Sequence, residues 1–173
     1  MLEIVYEDKY LIIVNKPSKL LTISNIKEKE KTLYHLISIY LKKKNKYNKV
    51  FIVHRLDYDT SGLIIFAKSE LVKDKLQSDW SNVKRKYMAV LDGKLIKREG
   101  VIQTYLKETK TLMTYSSKDK KGKLAITEYK VIKYQDNLTL VEINIRTGRK
   151  NQIRVHLSDI GYPIIGDKKY GSK

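Results

Sequence analysis

The chain has 173 residues, 42% of them hydrophobic and 32% charged, which suits one soluble globular domain that buries roughly two thirds of its unfolded surface. It contains 0 cysteines, excluding disulfides and thiolate metal sites, and no apolar run of membrane-spanning length. Lys and Arg total 36 against 19 Asp and Glu, and the resulting +17 draws polyanions: nucleic acid first, an anionic membrane surface second.

In chain order, Leu2–Tyr6 and Tyr10–Val14 read as two short strands around a turn at Glu7-Asp8-Lys9. This start lacks both a basic segment and a small-residue cleavage site, so no signal peptide is expected and a cytoplasmic location fits. Lys16-Pro17 closes the second strand, because proline cannot donate to a ladder. Thr22 to Lys31 is polar and reads as loop. Thr32 is the expected N-cap of a helix with Leu33, Leu36, Ile37, Tyr40 and Leu41 on one stripe and His35 facing solvent. The lysines from Lys42 to Lys49 read equally as a solvated helix end and as phosphate contacts.

His54-Arg55-Leu56-Asp57-Tyr58-Asp59-Thr60-Ser61-Gly62 gathers polar groups into a loop, and Leu63 to Ala67 then reads as a strand buried on both faces. Its aspartates have three readings: turn capping, a calcium loop, or a catalytic carboxylate with Arg55 as a phosphate or base contact. The calcium reading fails, because its twelfth position requires a bidentate Glu and holds Lys68. With the histidines scattered as well, no metal site is expected. The loop by itself leaves the other two readings open.

Ser69 should cap a second helix with Leu71, Val72, Leu76 and Trp80 on one side. Arg85 to Gly93 reads as a strand in which Tyr87 stands beside Lys84, Arg85 and Lys86; an aromatic flanked by cations is one way to stack an unpaired base. From Val101 to Thr147 the pattern is antiparallel β, with strands at Val101–Leu106, Leu112–Ser116, Ala125–Tyr134 and Leu138–Arg146. Val141, Ile143 and Ile145 alternate with polar residues, as in a sheet wet on one side. Gly148 turns the chain into a last helix with Ile153, Leu157 and Ile160 as its buried stripe, Gly161 as C-cap and Pro163 beyond. Arg149 and Lys150 then sit at a helix N-terminus, where cations oppose the dipole and imply pairing with a carboxylate or a phosphate.

Three of these segments, in order, resemble the RluA/RluD-type pseudouridine synthases. His54 to Lys68 is similar to the family's His-Arg-Leu-Asp-x-x-Thr-Ser-Gly loop with its apolar strand and Ala-Lys. Arg85-Lys86-Tyr87-Met88-Ala89 resembles its basic-x-Tyr-x-Ala strand. Thr147 to His156 and Gly161 to Gly171 resemble its Thr-Gly-Arg-x-His-Gln-Ile-Arg-x-His and Gly-x-Pro-Ile-x-Gly-Asp-x-x-Tyr-Gly segments, and Val14 to Pro17 extends the likeness nearly end to end.

The resemblance implies an α+β fold: a single catalytic domain on a bent, mostly antiparallel mixed sheet, flanked by helices, with a central basic cleft. It implies isomerisation of a specific uridine in structured RNA, ribosomal or transfer, by base flipping, without cofactor or metal. Carried over by position, Asp57 would be the nucleophile, Tyr87 the aromatic stacking on the target base, and Arg149 the partner of Asp57. Arg55 would help displace the flipped nucleotide; His54 and Thr60 are expected RNA contacts on the same loop, and His54 reads as a loop-locking hydrogen bonder before an acid or base. Lys84, Arg85 and Lys86, then Lys150, Asn151 and Arg154, are the further RNA contacts expected; His156 is expected to project from the last helix, and Asp167 to serve a turn. A monomer with no protein or membrane partner is the expected state.

Two positions depart from the family pattern: Asn151 stands where His is usual, and Lys19 replaces a Gly usual after Lys-Pro. The chain stops just after Tyr170-Gly171, where relatives usually continue, and no accessory RNA-binding domain precedes residue 1, so residues 1–173 are expected to be a minimal catalytic domain. A non-catalytic RNA-binding or ribosome-assembly protein on the same scaffold is the alternative. A membrane-surface protein is disfavoured, because no helix combines a basic polar face with a large apolar one.

Overall fold

The computed structural model describes residues 2–24 and 28–171. They divide into two compact units, Met1–Trp80 and Ser81–Lys173. Among the described residues no helix is long and apolar enough to cross a membrane.

The first unit is a four-stranded antiparallel sheet carrying two helices. Its strands are β1 (Glu3–Glu7), β2 (Leu11–Lys16), β3 (Phe51–Ile52) and β4 (Gly62–Ala67), in the order β1-β2-β4-β3. The turn between β1 and β2 is set by Asp8, whose carboxylate accepts from the backbone N–H groups of Tyr10 and Leu11, both at 2.8 Å. Alternation in β2 puts Ile12 and Val14 on the inner face, against Ile64 and Phe66 of β4 and the α1 helix (Leu33–Lys44). Thr32 is the N-cap of α1, accepting from the His35 N–H at 3.2 Å. Leu33, Ile37 and Leu41 are its buried stripe; Leu36 is largely exposed and Tyr40 half-buried, so the core-facing stripe is narrower than the sequence suggests. Of the lysine run, Lys44 is tied to Glu7, which also receives Lys68 and the Tyr40 hydroxyl. Burial by itself would raise the Glu7 pKa, but those three donors hold it down at about 2.

Three expectations in this unit are corrected. Leu63 is 57% exposed and Ile65 only partly buried, so β4 is fully covered on the face turned towards α1, while on its other face Ala67 alone is fully buried. The helix capped by Ser69, α2 (Glu70–Ser78), buries no residue, and Leu71 is 80% exposed. Trp80 lies beyond it in a 3-10 turn, Trp80–Asn82, so its alignment with Leu76 does not continue the helical stripe. The strand β3 was not foreseen, since two residues carry no periodic signal.

The second unit is a five-stranded antiparallel sheet, ordered β5-β9-β8-β6-β7. Its strands are β5 (Lys86–Asp92), β6 (Glu99–Glu108), β7 (Thr114–Ser117), β8 (Lys123–Gln135) and β9 (Leu138–Ile145). Thr139, Val141, Ile143 and Ile145 all face inward from β9, joined by Tyr129 and Val131 of β8. The α3 helix (Gln152–Asp159) lies over this inner face and adds Leu157 to the same core; Val155 joins Leu106, Ala125 and Tyr170 in a smaller cluster. Gly161, at φ +85°, ends the helix: its N–H donates to Ser158 O, and the next N–H to Leu157 O. The α+β class therefore stands, with the antiparallel ladders distributed over two sheets.

The buried face of α3 differs from the expected stripe. Ile153 and Ile160 are half-buried, whereas Val155 and His156 join Leu157 inside. His156 does not project outward. It is fully buried, with Nδ1 2.8 Å from Thr127 Oγ1 and Nε2 2.9 Å from Thr104 Oγ1. Two hydroxyls satisfy both ring nitrogens, which is why an imidazole is tolerated in this core.

Burial depresses the His156 pKa from 6.5 to about 4, outweighing the nearby Asp159 carboxylate. An unfolded chain takes up the proton at about 6.5, so the unfolded state binds more protons between these two values. Stability is thus unaffected by this group above about pH 6.5 and falls as pH drops towards 4, by up to about 3 kcal/mol. Urea denaturation at stepped pH should show this slope in the wild type, and His156→Gln should flatten it across that interval.

Candidate active site

The Asp57 loop is held from beneath by residues 16–22 of its own unit. The Thr22 hydroxyl donates to Leu56 O at 2.8 Å and accepts from Leu56 N–H at 3.2 Å, so one buried side chain fixes both polar groups of one peptide residue. Lys16 Nζ donates to Pro17 O, Leu20 O and Tyr58 O at 2.9, 2.8 and 3.3 Å. Ser18 Oγ donates to Asp59 O at 2.8 Å, and Thr60 N–H closes a turn on Asp57 O at 3.2 Å. Gly62, at φ +127°, lets the loop enter β4 through a backbone conformation open to glycine. Asp57 is left half-buried with its backbone immobilised on both sides, while Arg55, Tyr58 and Asp59 are exposed.

Lys16 has no exposed surface, and sequence reading assigned it only the end of a strand. Burial lowers its pKa, and the charges of Asp57 and Asp59 act against that shift. A buried ammonium tolerates its desolvation when carbonyls fill its coordination and carboxylates lie nearby. Lys19, the residue standing where a glycine is usual, adopts φ +61°, the backbone that explains a glycine preference there.

In the second unit, Tyr87 is the second residue of β5, on the inner side of the sheet opposite Ile143, and packs half-buried against the core. Lys86 points to the other face and pairs with Glu142. Arg85 lies along the 146–148 turn: Nη2 donates to Arg146 O at 3.1 Å, and a Cβ at Gly148 would come within 2.9 Å of Nη1. A side chain at Gly148 would therefore displace the flexible end of the Arg85 guanidinium.

Gln152, almost fully buried, organises the Thr147–Lys150 segment. Its carbonyl oxygen accepts from Thr147 Oγ1 at 2.8 Å and Arg149 N–H at 3.0 Å, and its amide donates to Ile126 O and Thr127 Oγ1, both at 3.0 Å. Arg149 is exposed, with Nε donating to Leu124 O at 3.0 Å. Asn151 takes the left-handed conformation at φ +53°, which Asn and His both tolerate better than most residues. Its amide donates to Tyr170 Oη at 3.0 Å, and its oxygen accepts from Arg154 at 3.1 Å.

The cations of this segment are not equivalent. Lys150 pairs with Glu108 at 2.6 Å in a half-exposed contact worth about 0–1 kcal/mol. Arg154 makes a two-pronged contact with Asp167 at 2.7 and 2.8 Å, and the Asp167 side chain is only 7% exposed. Burial would raise the Asp167 pKa, but Arg154 and the N–H groups of Tyr170 and Lys169 hold it below the ordinary value. Removing Arg154 from such a pair strands a buried charge at a cost of about 3–5 kcal/mol. Arg154 therefore has a structural contact, and Asp167 is both a turn residue and its counter-ion.

Of the residues singled out from sequence, His54, Arg55, Asp57 and Thr60 share one loop of the first unit. Lys84, Arg85, Lys86 and Tyr87, together with Arg149, Lys150, Asn151 and Arg154, lie in the second. Sequence reading missed the supporting residues Lys16, Thr22 and Gln152. Among the described residues no group of three His, Asp or Glu could hold a metal ion.

Residues 10–159 match the family described as RNA pseudouridylate synthase. The chain is 38% identical over 174 residues to a Bacillus subtilis protein named uncharacterized RNA pseudouridine synthase YhcT, covering 98% of this chain and 58% of that one. It is 39% identical over 177 residues to ribosomal large subunit pseudouridine synthase C of Rickettsia typhi, covering 98% and 56%. Its fold is similar to that of human RNA pseudouridylate synthase domain containing 4, with a TM-score of 0.83 and 26% identity over 98% of this chain and 69% of that one. The chain thus spans somewhat more than half the length of the curated relatives it matches.

Lys16→Met should fold with a loss of about 2–4 kcal/mol, because three carbonyls lose a charged donor. Lys16→Arg should not restore the loss, since a planar guanidinium does not fit a seat shaped for a point charge. Urea midpoints of the three proteins measure both effects.

Proposed function

This chain belongs to the RNA pseudouridylate synthase family and is of its RluA/RluD type, and from that premise we propose that it isomerises a specific uridine in structured RNA, ribosomal or transfer, to pseudouridine. The observation that carries the reading is the Asp57 carboxylate, half-buried on a loop whose backbone is fastened at Leu56, Asp57 and Tyr58. A pure RNA binder has no use for an immobilised negative charge in a +17 chain.

In this reading the target uridine leaves its stack before reaction, since its glycosidic carbon is inaccessible inside a helix. Asp57 acts as the nucleophile: the bond it makes to the nucleotide divides the reaction into two easier steps and is broken again before the product leaves. The N1–C1′ bond breaks, the uracil turns, and a C5–C1′ bond forms; C5 gives up a proton and N1 ends protonated. Atoms and electrons balance, so the isomerisation consumes no oxidant or reductant. Tyr87 supplies the aromatic face for the base, and Arg149 the cation that partners Asp57. Arg55, exposed beside Asp57, takes the place of the flipped nucleotide. Lys84 and Lys150 contribute phosphate contacts, so affinity falls with salt. The protein works as a cytoplasmic monomer.

Asp57→Asn should lower pseudouridine formation by at least about 10³-fold, a loss typical of removing a nucleophile. Its RNA affinity should stay within about threefold, because one charge barely alters the field that governs non-specific binding. Arg149→Met should slow product formation at least about tenfold. A pseudouridine-specific chemical adduct read by primer extension, with filter binding alongside, measures all three. Binding by the wild type without product on ribosomal or transfer RNA would favour the non-catalytic assembly factor.

A further inference from the structure

We propose that His54 is a positioning residue for Asp57, its imidazole replacing a strand carbonyl at the point where the loop leaves the sheet. β3 pairs with β4 through two residues, Phe51 with Ala67 and Ile52 with Phe66. One further step in that register would set Val53 against Ile65, and the Val53 carbonyl would take the Ile65 N–H. The chain diverges there instead. The Ile65 N–H donates to His54 Nε2 at 3.1 Å, and Val53 O accepts from Gln77 Nε2 of α2 at 3.0 Å. The Ile65 N–H and the Val53 carbonyl, which that pairing would have joined, are thus each satisfied by a side chain, as buried backbone polar groups must be.

The ring is also oriented from its side. Its centroid lies 4.5 Å from that of Trp80, with the planes 30° apart. An Nε2 that accepts a backbone N–H carries no proton, so the imidazole is neutral with hydrogen on Nδ1. His54 stands three residues before Asp57 and Gly62 five after it, so the ring fixes the upstream end of the loop as the glycine does the downstream end. A displacement of about 1 Å in a reacting group is enough to slow turnover about 100-fold. This role rests on Asp57 being the reactive carboxylate, and it differs from direct contact between His54 and RNA.

His54→Phe keeps an aromatic ring beside Trp80 and removes the acceptor; His54→Gln returns an oxygen acceptor at similar reach. Single-turnover rates at saturating RNA should fall about 10- to 100-fold in His54→Phe and recover to within about fivefold of wild type in His54→Gln, with RNA Kd within about threefold for both. A wild-type rate in His54→Phe, or a weakened Kd with an unchanged saturating rate, would overturn the proposal. Imidazole 15N shifts of the wild-type chain give a readout independent of turnover and of variant folding. They should show protonated Nδ1 and unprotonated Nε2 at His54, and a protonated Nε2 would sink the latch. If the wild type forms no pseudouridine, the functional reading fails while the 15N shifts still decide the latch.

Discussion

A buried ammonium group beneath the Asp57 loop is the constraint on which the first unit depends. Lys16 has no exposed surface, and stripping an ammonium of water costs several kcal/mol unless it is coordinated. Three carbonyls supply that coordination, one of them Tyr58 O, 42 residues along the chain. The carboxylates of Asp57 and Asp59 add a favourable field. Dependence runs both ways: two carboxylates two residues apart repel, and the cation below them offsets that repulsion. Thr22 completes the arrangement, because its hydroxyl leaves Leu56 no unsatisfied group through which the loop could relax.

In the second unit a neutral side chain has the comparable task. Gln152 bonds a backbone and a side-chain group of β8 to the turn that carries Arg149. An amide has two donors and two acceptor lone pairs, and here the oxygen takes two hydrogens while the nitrogen gives two. Arg149 is thereby fixed at its own backbone N–H, and again through Nε on Leu124 O. A long arginine side chain loses up to about 2 kcal/mol of rotamer freedom on immobilisation. Doing so in advance of any ligand is the mark of preorganisation.

What the sequence revealed and what it hid divide along one physical line. Caps at Thr32 and Ser69, the adjacent strands read at Ala125–Tyr134 and Leu138–Arg146 and the inward alternation of β9 are local, and each was legible because its cause lies within a few residues. Lys16, Thr22, Gln152 and His156 are polar residues fully or almost fully buried, against the tendency of their types. Their burial is licensed by partners 25 to 52 residues away, which no periodicity reports. The α2 helix failed in the opposite sense: apolar residues at helical spacing promised a stripe, and the neighbouring sheet offered nothing to cover Leu71. The Asp57 motif was readable as a resemblance, while the groups that hold its backbone were not.

The +17 charge and the individual site residues answer separate questions about RNA. Many of the acidic side chains are engaged inside the fold: Glu7 with Lys44 and Lys68, Asp119 with Lys107, Glu128 with Arg146, Glu142 with Lys86, and Asp167 with Arg154. Those pairs fix geometry and remove their cations from the field seen by a ligand. The excess lysines then act as a diffuse positive atmosphere, in which any one of them contributes little. Diffuse charge gathers RNA but carries no preference among uridines and no chemistry. The hydrogen bonds of buried Lys16, Thr22 and Gln152 are concentrated instead on two short segments, one around Asp57 and one around Arg149, and fix local geometry there.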